Sequence, residues 1–355
     1  MMATTLPYPL LQALVGDEEV GALFSNEAEL SAMLRVESAL AQAEAQAGLI
    51  SDEAARRIAE VCGSFQADWP ALAAGLAQDG VIVPAFVRQL RAAVGETHAK
   101  AVHLGATSQD IIDTALMLRF KRVIEIFGLR LDVLIHSLRG LKDRDGATFL
   151  MAHTRMQQAL PFTAADKLET WLHPLERHRD ALEALALRFL AIQLGGPVGT
   201  RAELKGHGDA VADVMAEILD LRSAPSWHSQ RDRIGEFASL ISLLSGTLGK
   251  IGQDIALMAQ NEVGEVRLAT GGGSSAMPHK SNPVLAEVLV TLARFNAGLL
   301  GTLHQALVHE NERSGASWTL EWMVLPQMVV TAAAGLRNAQ AVVRSMSFSA
   351  SKAKN

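Results

Sequence analysis

From Ser229 to about Val263 the apolar positions Ile234, Phe237, Ile241, Leu244, Leu248, Ile251, Ile255 and Met258 step by three and four. That spacing lines one face of an α-helix as a heptad seam. A second seam runs through Leu285, Leu289, Leu292, Leu299, Leu303 and Ala306, with Asn296 interrupting it. Looser helical patterns occupy 108–139 and 161–192. Helices of ~30 residues reach ~45 Å, too long for a small compact domain. They predict an elongated bundle that covers its remaining apolar faces with other subunits. Between residue 26 and about 96 the helical patterns are shorter, broken at Gly48, Asp52, Pro70, Gly80 and Pro84. The expected division is a small N-terminal helical domain (1–103), a long-helix bundle (104–345) and a short tail (346–355). The expected fold class is all-α.

Composition supports helix over sheet: the chain is rich in Ala and Leu, with 5% aromatic residues and one tyrosine. A formal charge of −6 gives no general attraction to nucleic acid or an anionic membrane. Groups that bind an anion must therefore be gathered locally. Cys62 is the only cysteine, which excludes an intrachain disulfide and a cysteine-based zinc site. Its apolar neighbourhood reads as a packed thiol. The N-terminus lacks a basic region followed by an apolar core, and the long apolar stretches carry charges such as Glu287 and Arg294, so a soluble cytoplasmic protein is expected. There is no βαβ alternation and no Walker motif. The turn Gly195-Gly196-Pro197-Val198-Gly199-Thr200 suits a helix-to-helix connection or a loop beside a site.

The densest chemistry lies at 271–283, Gly-Gly-Gly-Ser-Ser-Ala-Met-Pro-His-Lys-Ser-Asn-Pro. Three glycines permit close and unusual backbone conformations. Two hydroxyls (Ser274, Ser275), a cation (Lys280) and an amide (Asn282) follow, and Pro283 opens the second seam. Proton-transfer and anion-binding groups on a helix N-terminus suit a carboxylated substrate. Upstream, His103-Leu104-Gly105-Ala106-Thr107-Ser108-Gln109-Asp110 enters a helix. Thr107, Ser108 and Asp110 fit N-capping roles, and the same exposed amides and hydroxyls could bind a carboxylate.

The 271–283 string resembles the signature loop of the fumarase/aspartase superfamily, whose members add or eliminate groups beta to a carboxylate. The resemblance implies Ser274 as catalytic base, Lys280 and Asn282 as carboxylate ligands, and Ser275 and Met277 as supporting positions. The His103–Asp110 string resembles the first shared region of that family, implying Thr107 and Ser108 as substrate ligands with His103 beside them. His153-Thr154-Arg155-Met156-Gln157 resembles the second, with His153, Thr154, Arg155 and Gln157 as candidate substrate contacts. There the family places a histidine after the threonine, whereas this chain has Arg155. A guanidinium cannot accept a proton near neutral pH but can clamp a carboxylate through two hydrogen bonds. Glu287 matches the carboxylate that orients the family's histidine.

Trp227-His228-Ser229-Gln230-Arg231-Asp232-Arg233 is usually the kind of run that forms a solvated, salt-bridged turn. It is similar to one branch of the superfamily, bacterial cycloisomerases that lactonise a muconate tricarboxylate, and so adds Arg231 and Arg233 as candidate substrate ligands. The resemblance further implies a homotetramer with shared active sites, a small-molecule substrate, and no metal or cofactor. The superfamily's third helical domain is expected to be missing after the bundle. Within enzymes, the alternative is a C–N lyase of the adenylosuccinate or argininosuccinate type. Outside them, it is an inert helical scaffold.

Overall fold

Most helices of the N-terminal part begin where a side chain satisfies a free amide. The computed structural model describes residues 9–269, 271–273, 277 and 281–351. After short helices α1 (Gln12–Val15) and α2 (Glu18–Ala22) come α3 (Asn26–Gln46), α4 (Asp52–Ser64), α5 (Trp69–Asp79) and α6 (Val83–Val94). Ser25, Ser51 and Asp68 accept hydrogen bonds from the amides of Ala28, Ala54 and Ala71, the usual N-cap geometry. Pro70 and Pro84 sit in the first turns of α5 and α6, where the missing N–H is no loss. The predicted breaks at these prolines are therefore helix starts.

The bundle follows: α7 (Ser108–Asp145), a hairpin of β1 (Phe149–Thr154) and β2 (Gln157–Thr163), α8 (Ala164–Phe189), α9 (Gly208–Leu219), α10 (Asp232–Met258), β3 (Val266–Leu268), α11 (Val284–Gln305), α12 (Gly315–Ser345) and β4 (Met346–Phe348). All eight positions of the first seam are buried. On the second seam Leu289, Leu292, Leu303 and Ala306 are buried. The polar interruption is satisfied across three helices: Asn296 donates to Ser245 Oγ at 2.9 Å and accepts from Thr331 Oγ1 at 3.3 Å. A second core joins α3–α6 to the first turns of α7, through Ile111, Ile112 and Ala115, and to α9, through Val211 and Met215. The packing unit around the N-terminal helices thus extends beyond residue 103.

The fold is all-α as expected, with two short antiparallel strand pairs added to the helices. Residues 149–163 form an antiparallel hairpin, with Thr154 paired to Gln157, and Leu150 and Met151 bury its base. Within the expected tail, β4 pairs with β3. Phe348 anchors it by stacking on Trp171 and by donating its amide to Asp145 Oδ2 at 2.9 Å.

The 38 residues of α7 span ~57 Å and define two ends of the molecule. At the first, Arg313, in the α11–α12 connection, reaches Thr107, and Arg231, just before α10, reaches Asp113. At the second lie the hairpin, β3 with β4, and the base of the 271–283 loop. By length and composition α10, α11 and α12 could each cross a membrane. In this fold α10 and α12 instead bury more than half of their most apolar windows, whereas α11 has only 22% of its window covered by its own chain.

Candidate active site

At the first end, the α7 N-terminus is organised by Asp110, which is fully buried. Its Oδ1 accepts from the Gly195 amide (2.8 Å), Gln193 Nε2 (3.2 Å) and His228 Nε2 (2.8 Å). Its Oδ2 accepts from the Thr107 amide (2.9 Å) and the Gly196 amide (2.9 Å). One carboxylate therefore pins the Gly195–Thr200 turn against the helix start. Gly196 has φ +69°, and a Cβ there would meet the Gly105 carbonyl oxygen at 2.8 Å, so only glycine fits. The turn therefore buttresses the N-terminus of α7. Thr107 and Ser108 remain half-exposed at the helix end. The exposed Arg313 donates to Thr107 Oγ1 and, at 2.8 Å, to the Pro197 carbonyl. Hydroxyls, free helix amides and a guanidinium here share one small surface, which is suited to an anion.

His103 stands beside this surface with φ +63° and its Nδ1 at 2.7 Å from Glu37 Oε1 on α3. Burial alone would pull its pKa down. The Glu37 carboxylate, helped by Asp110 and opposed by Arg91, outweighs burial and raises the pKa above the usual histidine range.

Arg231 and Arg233 are not part of that surface. Arg231 is 1% exposed and bonds Asp113 through Nη1 (2.6 Å) and Nη2 (3.1 Å), and Glu321 through Nε (3.0 Å) and Nη2 (2.6 Å). Its face lies on Trp227, 4.8 Å from the ring centroid. These contacts leave it no face for substrate. It is a core ion pair rather than the substrate ligand, or the solvated turn, that the local charge pattern suggests. Arg233 packs on the same indole and caps the end of α8, donating to the carbonyls of Arg188 and Phe189.

At the second end, Thr154, Arg155 and Gln157 lie at the exposed tip of the hairpin, with His153 also exposed. Arg155 (φ +48°) and Met156 (φ +69°) form its two-residue turn. Both central residues are in the left-handed region, where Asn-Gly is the usual choice, and a non-glycine pair there is strained. Nearby, Gly272 and Asn282 exchange two backbone hydrogen bonds of 2.8 Å, closing the base of the 271–283 loop just before α11. A Cβ on Gly272 would come within 2.4 Å of Val284 Cγ2. Glu287 is exposed on the first turn of α11, and Met277 is also partly exposed. Ser274, Ser275 and Lys280 lie outside the described residues. Among the described residues, no three His, Cys, Asp or Glu side chains cluster as a metal site.

Within one chain, then, His103, Thr107 and Ser108 lie at one end. His153 to Gln157, Asn282 and Glu287 lie at the other. Sequence reading missed Glu37 and Arg313. It had placed Asp110 only as a helix start and His228 only within a motif.

A sequence profile of the lyase family matches residues 17–296. The 3-carboxy-cis,cis-muconate cycloisomerase of Acinetobacter baylyi is 37% identical over 96% of this chain and 78% of its own length. That of Pseudomonas aeruginosa is 39% identical over 93% and 74%. The crystal structure of 3-carboxy-cis,cis-muconate lactonizing enzyme from Pseudomonas putida superposes with a TM-score of 0.90 at 38% identity, covering 96% of this chain and 78% of that one. The profile match, these identities and the shared long-helix architecture place the chain in the lyase family of the fumarase/aspartase superfamily.

Proposed function

We propose that the protein is a soluble cytoplasmic cycloisomerase that lactonises 3-carboxy-cis,cis-muconate to 4-carboxymuconolactone in the catabolism of aromatic acids. The reading is carried by its similarity, over nearly the whole chain, to enzymes named for that reaction. Arg155 at the hairpin tip agrees with it, because a third substrate carboxylate calls for an additional cation rather than a second base.

In the reaction a carboxylate oxygen of the substrate bonds to a carbon of its own diene. The π electrons move to the adjacent carbon and into its attached carboxylate, and a proton then closes that carbon. The tricarboxylate trianion takes up one proton from solvent and becomes a lactone dianion, and no other co-reactant is needed. Holding nucleophile and alkene in line is much of the task. In this reading Thr107, Ser108, Arg155, Lys280 and Asn282 hold the carboxylates and stabilise the developing charge. Ser274 transfers the proton, its acidity raised by the loop amides and Lys280.

The assembly is a homotetramer in this reading. About 57 Å of α7 separates the two sets of candidate ligands, so other copies must bring them together, and the uncovered face of α11 offers a contact surface. Two measurements test the proposal. The purified protein should consume 3-carboxy-cis,cis-muconate and leave adenylosuccinate and argininosuccinate intact; the reverse preference would make it a C–N lyase, and no turnover of any of them would favour a scaffold. Light scattering should give four times the 38.0 kDa chain mass; a stable monomer at micromolar concentration would remove the shared site.

A further inference from the structure

We infer that Glu37, on the N-terminal helix α3, is a positioning residue of the active site: it holds His103 as an imidazolium that binds a substrate carboxylate beside Thr107 and Ser108. The inference rests on the function proposed above.

Three geometric observations carry it. First, Glu37 is 1% exposed, and its Oε1 lies 2.7 Å from His103 Nδ1. A buried carboxylate on one ring nitrogen fixes the tautomer and the ring plane, and leaves the opposite nitrogen as the working donor. Among the described residues, Nε2 makes no hydrogen bond within the chain. Second, His103 adopts φ +63°, a conformation that L residues rarely occupy without a compensating contact. The Glu37 bond supplies one. Third, His103 lies four residues before Thr107, whose amide is tied to Asp110, so the ring is attached to the organised end of α7.

The charged groups around the pair decide its state. Glu37 and Glu44 lie two helical turns apart on α3 and are both buried. Burial, reinforced by Glu37, pushes Glu44 up to about 9, so Glu44 is neutral at working pH. Burial, again with Glu37, pushes Cys62 on α4 up to about 12, so the thiol is neutral as well. Asp110 on α7 favours the imidazolium, and Arg91 on α6 opposes it. Arg91 is itself anchored to the Val102 carbonyl at 3.0 Å. Glu37 is thus the contact that keeps His103 charged in a site where burial alone would discharge it.

The test is Glu37→Gln, with Glu37→Asp as the conservative partner, in the assembled enzyme. Gln can still accept the Nδ1 hydrogen but carries no charge. KM for 3-carboxy-cis,cis-muconate should rise about tenfold at neutral pH, the scale of a charge-assisted bond over a neutral one, with a much smaller change in kcat. The pH at which KM begins to climb should move down, and Glu37→Asp should recover part of the shift. Binding of propane-1,2,3-tricarboxylate, followed by calorimetry in buffers of different ionisation heat, should show the same downward displacement without any turnover. If wild-type enzyme binds the tricarboxylate but does not turn over the muconate, the substrate assignment fails while the Glu37 assignment is still measured. If Glu37→Gln lowers activity equally at every pH, or leaves both pH profiles in place, Glu37 is merely a packing residue and the inference is overturned.

Discussion

Replacing Arg231 with methionine separates a scaffold role from a substrate role more sharply than any other single change. The variant leaves Asp113 and Glu321 facing each other with side chains no more than 2% exposed. Asp113 keeps Gln109 Nε2 at 3.2 Å and Trp318 Nε1 at 3.3 Å; Glu321 accepts its two hydrogen bonds from Arg231. Breaking a buried ion pair by removing one partner costs about 3–5 kcal/mol, mostly the stranded charge. The lost stacking on Trp227 adds about 1 kcal/mol. The deficit should depend on pH. Burial already raises the Glu321 pKa, Arg231 holds it back, and Asp113 raises it. Without the arginine it rises further, so the folded variant retains a proton that the unfolded chain has released. Stability is then retained at low pH and drains away as pH rises through the Glu321 pKa. Urea unfolding of Arg231→Met should therefore show a midpoint far below wild type at pH 8 and a smaller gap near pH 5. Adding Asp113→Asn and Glu321→Gln should restore most of the loss, because it removes the charges left behind. A variant with wild-type unfolding and a raised KM for the tricarboxylate would refute this reasoning and return Arg231 to the substrate ligands.

Ser274→Ala should lower kcat by about 100-fold or more while assembly and melting temperature stay unchanged. Ser275→Ala should do far less, and equal losses in both would reduce the loop to a lid. Arg155→His should raise KM for the muconate tricarboxylate more than it lowers kcat; unchanged saturation curves would make Arg155 a turn residue only. Glu44→Gln should flatten the dependence of stability on pH. With its folded pKa at about 9 against an ordinary 4.5, wild type should lose roughly 1.4 kcal/mol per pH unit as pH rises between those values. Melting curves of wild type and variant should converge near pH 4 and separate by pH 8; parallel curves would show that Glu44 does not titrate in that window.

Much of the bundle was legible because helix periodicity is local. The seam from Ile234 to Met258 needs no knowledge of partners, and all of its positions are buried. The hairpin was not legible: its turn is Arg155-Met156, which carries no glycine or asparagine to announce positive φ. Nor was the role of Arg231, since its partners lie 118 and 90 residues away. A run of alternating charges looks the same whether its counterions are solvent or buried carboxylates. The candidate donors stand out in the sequence as three clustered stretches. What holds His103 was not legible, because Glu37 lies 66 residues upstream inside an otherwise ordinary helix.

The length of α7 has a consequence for heredity as well as for chemistry. Under the proposed assembly no single chain owns a complete catalytic unit, so a fault at one end and a fault at the other need not fall in the same place. Chains carrying only a Thr107 defect, mixed during folding with chains carrying only an Arg155 defect, would form some sites with both faults and others with neither. Two inactive alleles could then support growth together where each fails alone. By the same logic, dilution below the assembly constant would silence intact chains without unfolding them.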